Sequence, residues 1–324
     1  MQALRQPRVL AQLILLLLLA AVPPVMTAID EPFYTSLFTR IMIFAIAAAS
    51  LDLILGFGGM VSFGHAAYIG VGAYTVGILS FYGVDNGFIQ FPLAVLLSAV
   101  FAAIIGAICI RTSGVYFIMI TLAFAQMLYF LGISLEEYGG DDGMPVYRSE
   151  FGGLVDLYDA NHLYYLVFAV LAATLYFGHR LVNSRFGMVV RGMKSNTLRM
   201  RAVGYPIYWY RLAAYVISGT MCGVAGALFA NWSEFVSPDI MHWVRSGDLI
   251  IMVIVGGMGT LFGPVLGATA FLLMEEYLPE IIEGAAPGAG EHWHFVFGPI
   301  LILIVLFAKG GIFGLFASRE RSDD

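Results

Sequence analysis

The sequence predicts an all-α fold: a polytopic integral membrane bundle of about ten transmembrane segments, two of them broken by glycine. Three observations carry that prediction. Of 324 residues, 60% are apolar and 12% charged, with a mean hydropathy of +0.86, whereas an average soluble domain carries about 25% charged residues. Apolar runs long enough to span a bilayer recur from end to end. The Lys and Arg residues fall mostly on one side of the arrangement that those runs impose. Residues 1–324 therefore read as one membrane domain, with a basic stretch at 183–206 and a polar loop at 134–160 within it.

The first crossing, at about 9–28, follows Arg5 and Arg8 and is expected to end at the Pro23-Pro24 kink and Asp30-Glu31. It looks like a signal peptide, but it is long enough to span and a second apolar run starts soon after Pro32, so a retained first helix is expected. Further crossings are expected near 37–55, 60–82, 91–110 and 114–133, then near 162–182, 208–231, 246–258, 262–281 and 294–308. The eighth is short: about 14 residues give about 21 Å of helix, against about 30 Å of hydrocarbon. Counting it with the ninth as a hairpin is the reading adopted, and a re-entrant loop is its alternative. Cys109 and Cys222 lie in crossings without ligand spacing around them and read as packing residues.

Orientation follows from charge. A cytoplasmic N-terminus puts Arg5, Arg8, Arg111, Arg180, Arg185, Arg191, Lys194, Arg199, Arg201, Arg211, Lys309, Arg319 and Arg321 inside, and only Arg40, Arg148 and Arg245 outside. The C-terminus is then cytoplasmic too. The outer loop 134–160 is acidic, with Glu136, Glu137, Asp141, Asp142, Glu150, Asp156 and Asp159. Membrane topology accounts for the basic stretch, and nothing points to nucleic acid.

Three stretches stand out. GFGGMVSFGHAAYIGVGAYTVG (56–77) places small residues four apart, at Ser62, Ala66 and Gly70 and again at Ala73 and Gly77. A close helix-packing seam explains this. So does a broken helix beside a translocation path, which would put Gly58, Gly59, Ser62 and His65 on that path. Asp52 and His65 are ionisable groups in or near the membrane and are functional candidates by position. GGMGTLFGPVLG (256–267) is a second break, adding Gly256, Gly257 and Gly259 to the candidate path, with Glu275 and Glu276 beyond it. In the basic stretch, Phe186, Val190, Met193, Met200 and Val203 approximate one helical face, ended by Gly204 and Pro206. A positive-inside anchor explains the charges alone, whereas a helix-length, partly apolar insert suits a groove on a partner. No G-x-x-x-x-G-K-[ST] occurs, and neither lysine, Lys194 or Lys309, follows a glycine. Catalytic residues and metal ligands are not expected.

LDLILGFGGMVSFGHAAYIGVGAYT (51–75), RTSGVYFIMITLAFAQM (111–127), SRFGMVVRGMKSNTLRMRAVGY (184–205), YVISGTMCGVAGALFA (215–230) and IIMVIVGGMGTLFGPVLGA (250–268) together resemble the LivM-type permeases of bacterial branched-chain amino acid ABC importers. The resemblance covers most of the chain beyond residue 45. It implies an inner-membrane permease subunit, not itself an enzyme, that pairs with a second similar permease. Two ATPase subunits would dock from the cytoplasm, carrying the ATP and magnesium, and a periplasmic binding protein would deliver substrate, with no cofactor on this chain. The family's coupling segment maps onto Gly187, Arg191, Asn196, Ala202 and Gly204. Thr197 stands where family members often carry an acidic residue after the Asn, which puts an acidic contact there in doubt. Urea and short-chain amide permeases of the same superfamily are the alternative substrate class, and a stand-alone secondary transporter or a non-transporting scaffold are the alternatives to an importer.

Overall fold

The computed structural model describes residues 7–153, 155–285, 288, 290–307 and 310–317. Arg5, Lys309, Arg319 and Arg321, which carry part of the orientation argument, lie outside the described residues. In chain order the described helices are α1 (Pro7–Ile29), α2 (Pro32–Asp52), α3 (His65–Phe81), α4 (Gly87–Cys109), α5 (Val115–Ser134), α6 (Ala160–Val182), α7 (Arg185–Ser195), α8 (Thr197–Ala202), α9 (Ile207–Ser233), α10 (Trp243–Gly256), α11 (Gly263–Ala285), α12 (Trp293–Phe307) and α13 (Gly311–Ala317). The loops supply their caps. Asn86 accepts from the Phe88 amide at the start of α4, Asp159 from the Asn161 amide at the start of α6, and Ser184 from the Gly187 amide at the start of α7.

Among the described residues, five helical stretches are long and apolar enough to cross a membrane: 32–57, 87–109, 115–134, 160–182 and 207–233. The first is central. Helix α2 packs against α6, α9, α10 and α11, and Ile41 to Ala48 are buried all round. Helix α4 is peripheral and exposes Leu96, Val100, Ile104 and Ile108 at four-residue spacing. Such a stripe is a liability in water and costs nothing against lipid.

The first helix does not end at its prolines. It runs through Pro23 and Pro24 to Ile29, and the Thr27 hydroxyl donates to the Pro23 carbonyl (2.7 Å). The carbonyls that Pro23 and Pro24 leave without an amide, those of Leu19 and Ala20, accept instead from the Tyr164 (2.5 Å) and Tyr165 (3.5 Å) hydroxyls of α6, which lets the apolar helix keep its prolines.

The segment expected as one helix over 60–82 is in two parts. The chain leaves α2 through a wide helical turn at Leu53–Phe57, then runs without helix until α3 begins at His65. Its amides are held by hydroxyls. Phe63 N donates to Thr121 Oγ1 (3.2 Å), Gly64 N to Ser62 Oγ (3.2 Å) and Ala66 N to Ser246 Oγ (3.0 Å). Non-helical backbone persists at membrane depth when its polar groups find partners in the protein.

Helix α10, where the short eighth crossing was expected, is entered in a related way. After α9, the strand β2 (Phe235–Val236) pairs antiparallel with β1 (Met144–Pro145) beside Gly77. The chain then dips through a 3₁₀ turn, Pro238–Met241, which seats Met241 against Gly70 and Gly132. Seven helical residues separate Gly77 from Gly70, about 10 Å. Helix α10 thus starts beside the first half of α3, with Trp243 against Phe63 and Ser246 beside the first turn of α3, and runs for 14 residues.

The acidic loop 134–160 is folded rather than free. Met144, Val146, Ser149 and Leu157 are buried, Ser149 N donates to Asn231 Oδ1 (2.7 Å), and Arg148 pairs with Glu234 (2.6 Å). All seven acidic side chains named above remain exposed.

Candidate functional site

The two glycine-broken stretches, two hundred residues apart in sequence, meet. Asp52 ends α2 and is buried, and its Oδ1 accepts from Gly259 N (2.8 Å). Gly56 presses on the same place: a Cβ there would lie 2.3 Å from Gly259 N and closer still to the Asp52 carboxylate. Only glycine allows that approach. Lys194, the last basic residue of α7, donates from Nζ to the Gly56 carbonyl (2.5 Å). One node therefore joins α2, the turn after α10, and the basic segment.

His65 lies above this node, fully buried. Nδ1 is 3.1 Å from Ser62 Oγ and Nε2 is 2.8 Å from Ser218 Oγ, and the Ser218 hydroxyl donates to the Ser50 carbonyl. Tyr68 and Tyr215 pack edge-on against the imidazole and share a hydrogen bond (3.1 Å). Both imidazole nitrogens are thus engaged, and α2, α3 and α9 are joined through them. Among the candidate path residues, Gly58, Ser62, His65, Gly256 and Gly257 are buried in this conformation, while Gly59 is exposed and Gly259 half-buried. The small-residue ladder divides by face. Gly70 and Gly77 receive Met241 and Met144 from the outer segments, whereas the close approach to α9 uses Gly72, set against the backbone of Gly223.

The basic stretch forms two helices hinged at Asn196. Four of its five candidate coupling residues shape it. Gly187 sits against the Leu181 and Val182 carbonyls, where a Cβ would lie 2.4 and 2.3 Å away. Arg191 Nη2 donates to the Val182 carbonyl (3.0 Å), Asn196 Oδ1 caps α8 by accepting from Arg199 N (2.9 Å), and Gly204, at φ +94°, ends the segment. Ala202 is exposed. The expected apolar face is split by the hinge. Val190 and Met193 are buried, Phe186 and Met200 pack on the core, and Val203 is exposed.

A cavity of about 350 Å³ lies between α10, α11 and α12. Asp239, Asp248, Glu275 and Arg245 line it beside Val244, Phe271, Trp293 and Phe297. Glu275 and Glu276 both pair with Arg40 of α2, at 3.2 and 3.8 Å. Sequence reading placed Glu275 in this region but missed the rest. Arg245 and Asp248, three residues apart at the head of an apolar run, were the available signal.

The family model for the branched-chain amino acid transport system permease component matches residues 33–306. The LivM proteins of high-affinity branched-chain amino acid transport in Salmonella typhimurium and Escherichia coli are each 24% identical to the chain. The alignments span 85% and 93% of this chain and 68% and 74% of those proteins, respectively. LivH of Escherichia coli is 22% identical over 84% of this chain and 91% of its own length. No solved structure matches the chain. With a match running from the start of α2 almost to the end of α12 and taking in both breaks and the paired basic helices, the chain belongs to the branched-chain amino acid transport permease family.

Proposed function

We propose that this chain is the permease subunit of an ATP-driven importer of branched-chain or other apolar amino acids in a bacterial inner membrane. The observation that carries the reading is the surface of α7 and α8. Met188, Leu198 and Val203 stand exposed there beside Arg191, Arg199 and Arg201. Large apolar side chains among solvated cations suit a groove on an ATPase subunit. Two such subunits would supply the ATP and magnesium, this chain would bind no cofactor, and catalysis of hydrolysis would belong to them. The partner permease would be a second chain of this family, as LivH is beside LivM among the relatives. The exposed acidic residues of the outer loop suit basic groups on a periplasmic binding protein.

In this reading the chain crosses ten times, through α1 to α6, α9, α10 with the dip before it, α11 and α12. Both termini and α7–α8 are cytoplasmic. The path runs along the two breaks, formed by Gly58, Gly59, Ser62 and His65 from the first and by Gly256, Gly257 and Gly259 from the second, and opens when they shift. An apolar amino acid needs carboxylate and ammonium partners beside an apolar wall. The outer cavity offers Arg245, three carboxylates and four apolar side chains.

The test is uptake of labelled leucine into proteoliposomes holding this chain with its co-purified subunits and binding protein. Uptake that requires ATP inside and is competed by isoleucine and valine is expected. Inhibition by urea with leucine inert would move the assignment to the amide branch. Uptake that ignores ATP and collapses with the proton gradient would make the chain a secondary transporter.

A further inference from the structure

We propose that Lys194 is a positioning residue that ties the cytoplasmic helices to both broken stretches, so that one movement of α7 reaches the two breaks together. The inference rests on the importer reading above. Its basis is the node itself. The Lys194 ammonium holds the Gly56 carbonyl, and the side-chain stem lies along Gly59, where a Cβ would sit 3.0 Å from Lys194 Cγ. Gly56 in turn bears on Gly259, and Gly259 is held by Asp52. Backbone meets backbone at Gly56 and Gly259, with the Asp52 carboxylate bonded beside them, so neither break can shift far alone.

Charge favours the same arrangement. The turn after α2 and the C-terminus of α10 both bring helix carbonyl ends to this place, and those ends carry partial negative charge. Asp52 adds a buried carboxylate whose Oδ2 has no hydrogen-bond partner among the described residues. Lys194 supplies the cation. Arg191 is bound to the Val182 carbonyl, and Arg199 and Arg201 are exposed on α8. Helix α7 is hinged to α6 where Gly187 meets the Leu181 and Val182 carbonyls. From that hinge to Lys194 is seven residues, about 10 Å of lever. A partner that tilts α7 would move Gly56 most.

The experiment uses the reconstituted importer, reading labelled leucine uptake and ATP hydrolysis in the same vesicles. Lys194→Met keeps the stem and removes the donor. Uptake is expected to fall about ten-fold while hydrolysis stays near wild type, so leucine moved per ATP falls. Lys194→Arg is expected to restore most of the ratio. An unchanged ratio in Lys194→Met overturns the inference, whether both activities persist or both fall in proportion.

A second variant removes folding as an explanation. A Cβ on Gly59 would lie 3.5 Å from Lys194 Cβ, within the spacing a disulfide needs. In Gly59→Cys/Lys194→Cys, the oxidised sample is expected to import at least about five-fold faster than the same sample reduced. Equal uptake in the two redox states, or slower uptake when oxidised, overturns the tether. Wild-type uptake independent of ATP would instead overturn the importer reading, which separates the two failures.

Discussion

Gly56 has no room for a side chain. A methyl there would overlap the Asp52 carboxylate and the Gly259 amide, both backed by buried helix. Gly56→Ala is expected to destabilise the detergent-solubilised protein by about 1–3 kcal/mol, read as a fall in Tm. Gly284→Ala, in α11 with nothing near its Cβ, is expected to be neutral or to stabilise by up to about 1 kcal/mol. Equal effects would show that the node is not tightly packed. His65 can be treated the same way. His65→Phe keeps an aromatic ring, somewhat larger than imidazole, but leaves the Ser62 and Ser218 hydroxyls with fewer partners, a cost of about 1–3 kcal/mol. A lowered Tm with unchanged leucine per ATP is expected if the ring joins helices, and retained Tm with lost uptake would place it on the path. The sequence marked Asp52, His65 and the glycine cluster between them as unusual, because glycine clusters and ionisable groups are conspicuous in apolar runs, but it did not single out Gly56. It did not reveal their partners, since Gly259, Ser218 and Lys194 lie more than a hundred residues away and a single sequence carries no trace of that pairing.

The helices were largely legible because apolar runs bounded by polar loops are a strong signal. The breaks were legible as glycine clusters but not as to extent. That the chain stays non-helical to His65 depends on Thr121 and Ser62 hydroxyls that take up the free amides. The basic stretch shows the same limit. Its apolar spacing suggested one face, but Asn196 takes an extended backbone and caps α8, so the face turns at that point. A six-residue helix has little stability of its own, and α8 depends on this cap. Asn196→Ala is expected to cost about 0.5–2 kcal/mol and to raise amide exchange selectively over 197–203. Asn196→Asp, which keeps the acceptor, is expected to leave exchange near wild type. Exchange unchanged in the alanine variant would mean that packing of Met200, rather than the cap, orders α8.

At the scale of the molecule, the short α10 had left two topologies open, a hairpin with α11 or a loop that re-enters from outside. In the ten-span reading proposed above, the dip through Pro238–Met241 supplies the part of the crossing that the 14-residue α10 is too short to cover. The turn after α10 then lies beside Gly56, whose carbonyl takes Lys194 from α7. Whichever face of the membrane holds α7, Met258 must lie near the same face. This prediction is independent of the charge argument for absolute orientation. Met258 and Leu198 are both exposed, so single cysteines at these positions are expected to react with a membrane-impermeant maleimide from one side only, and from the same side. A cysteine replacing Asp141 in the outer loop is expected to react only from the other. In right-side-out vesicles the positive-inside reading requires labelling at 141 alone. Labelling at 258 together with 141 would restore the re-entrant loop. It would also separate the second break from α7 and α8, and with it remove the route by which a partner acting on α7 could move both breaks at once.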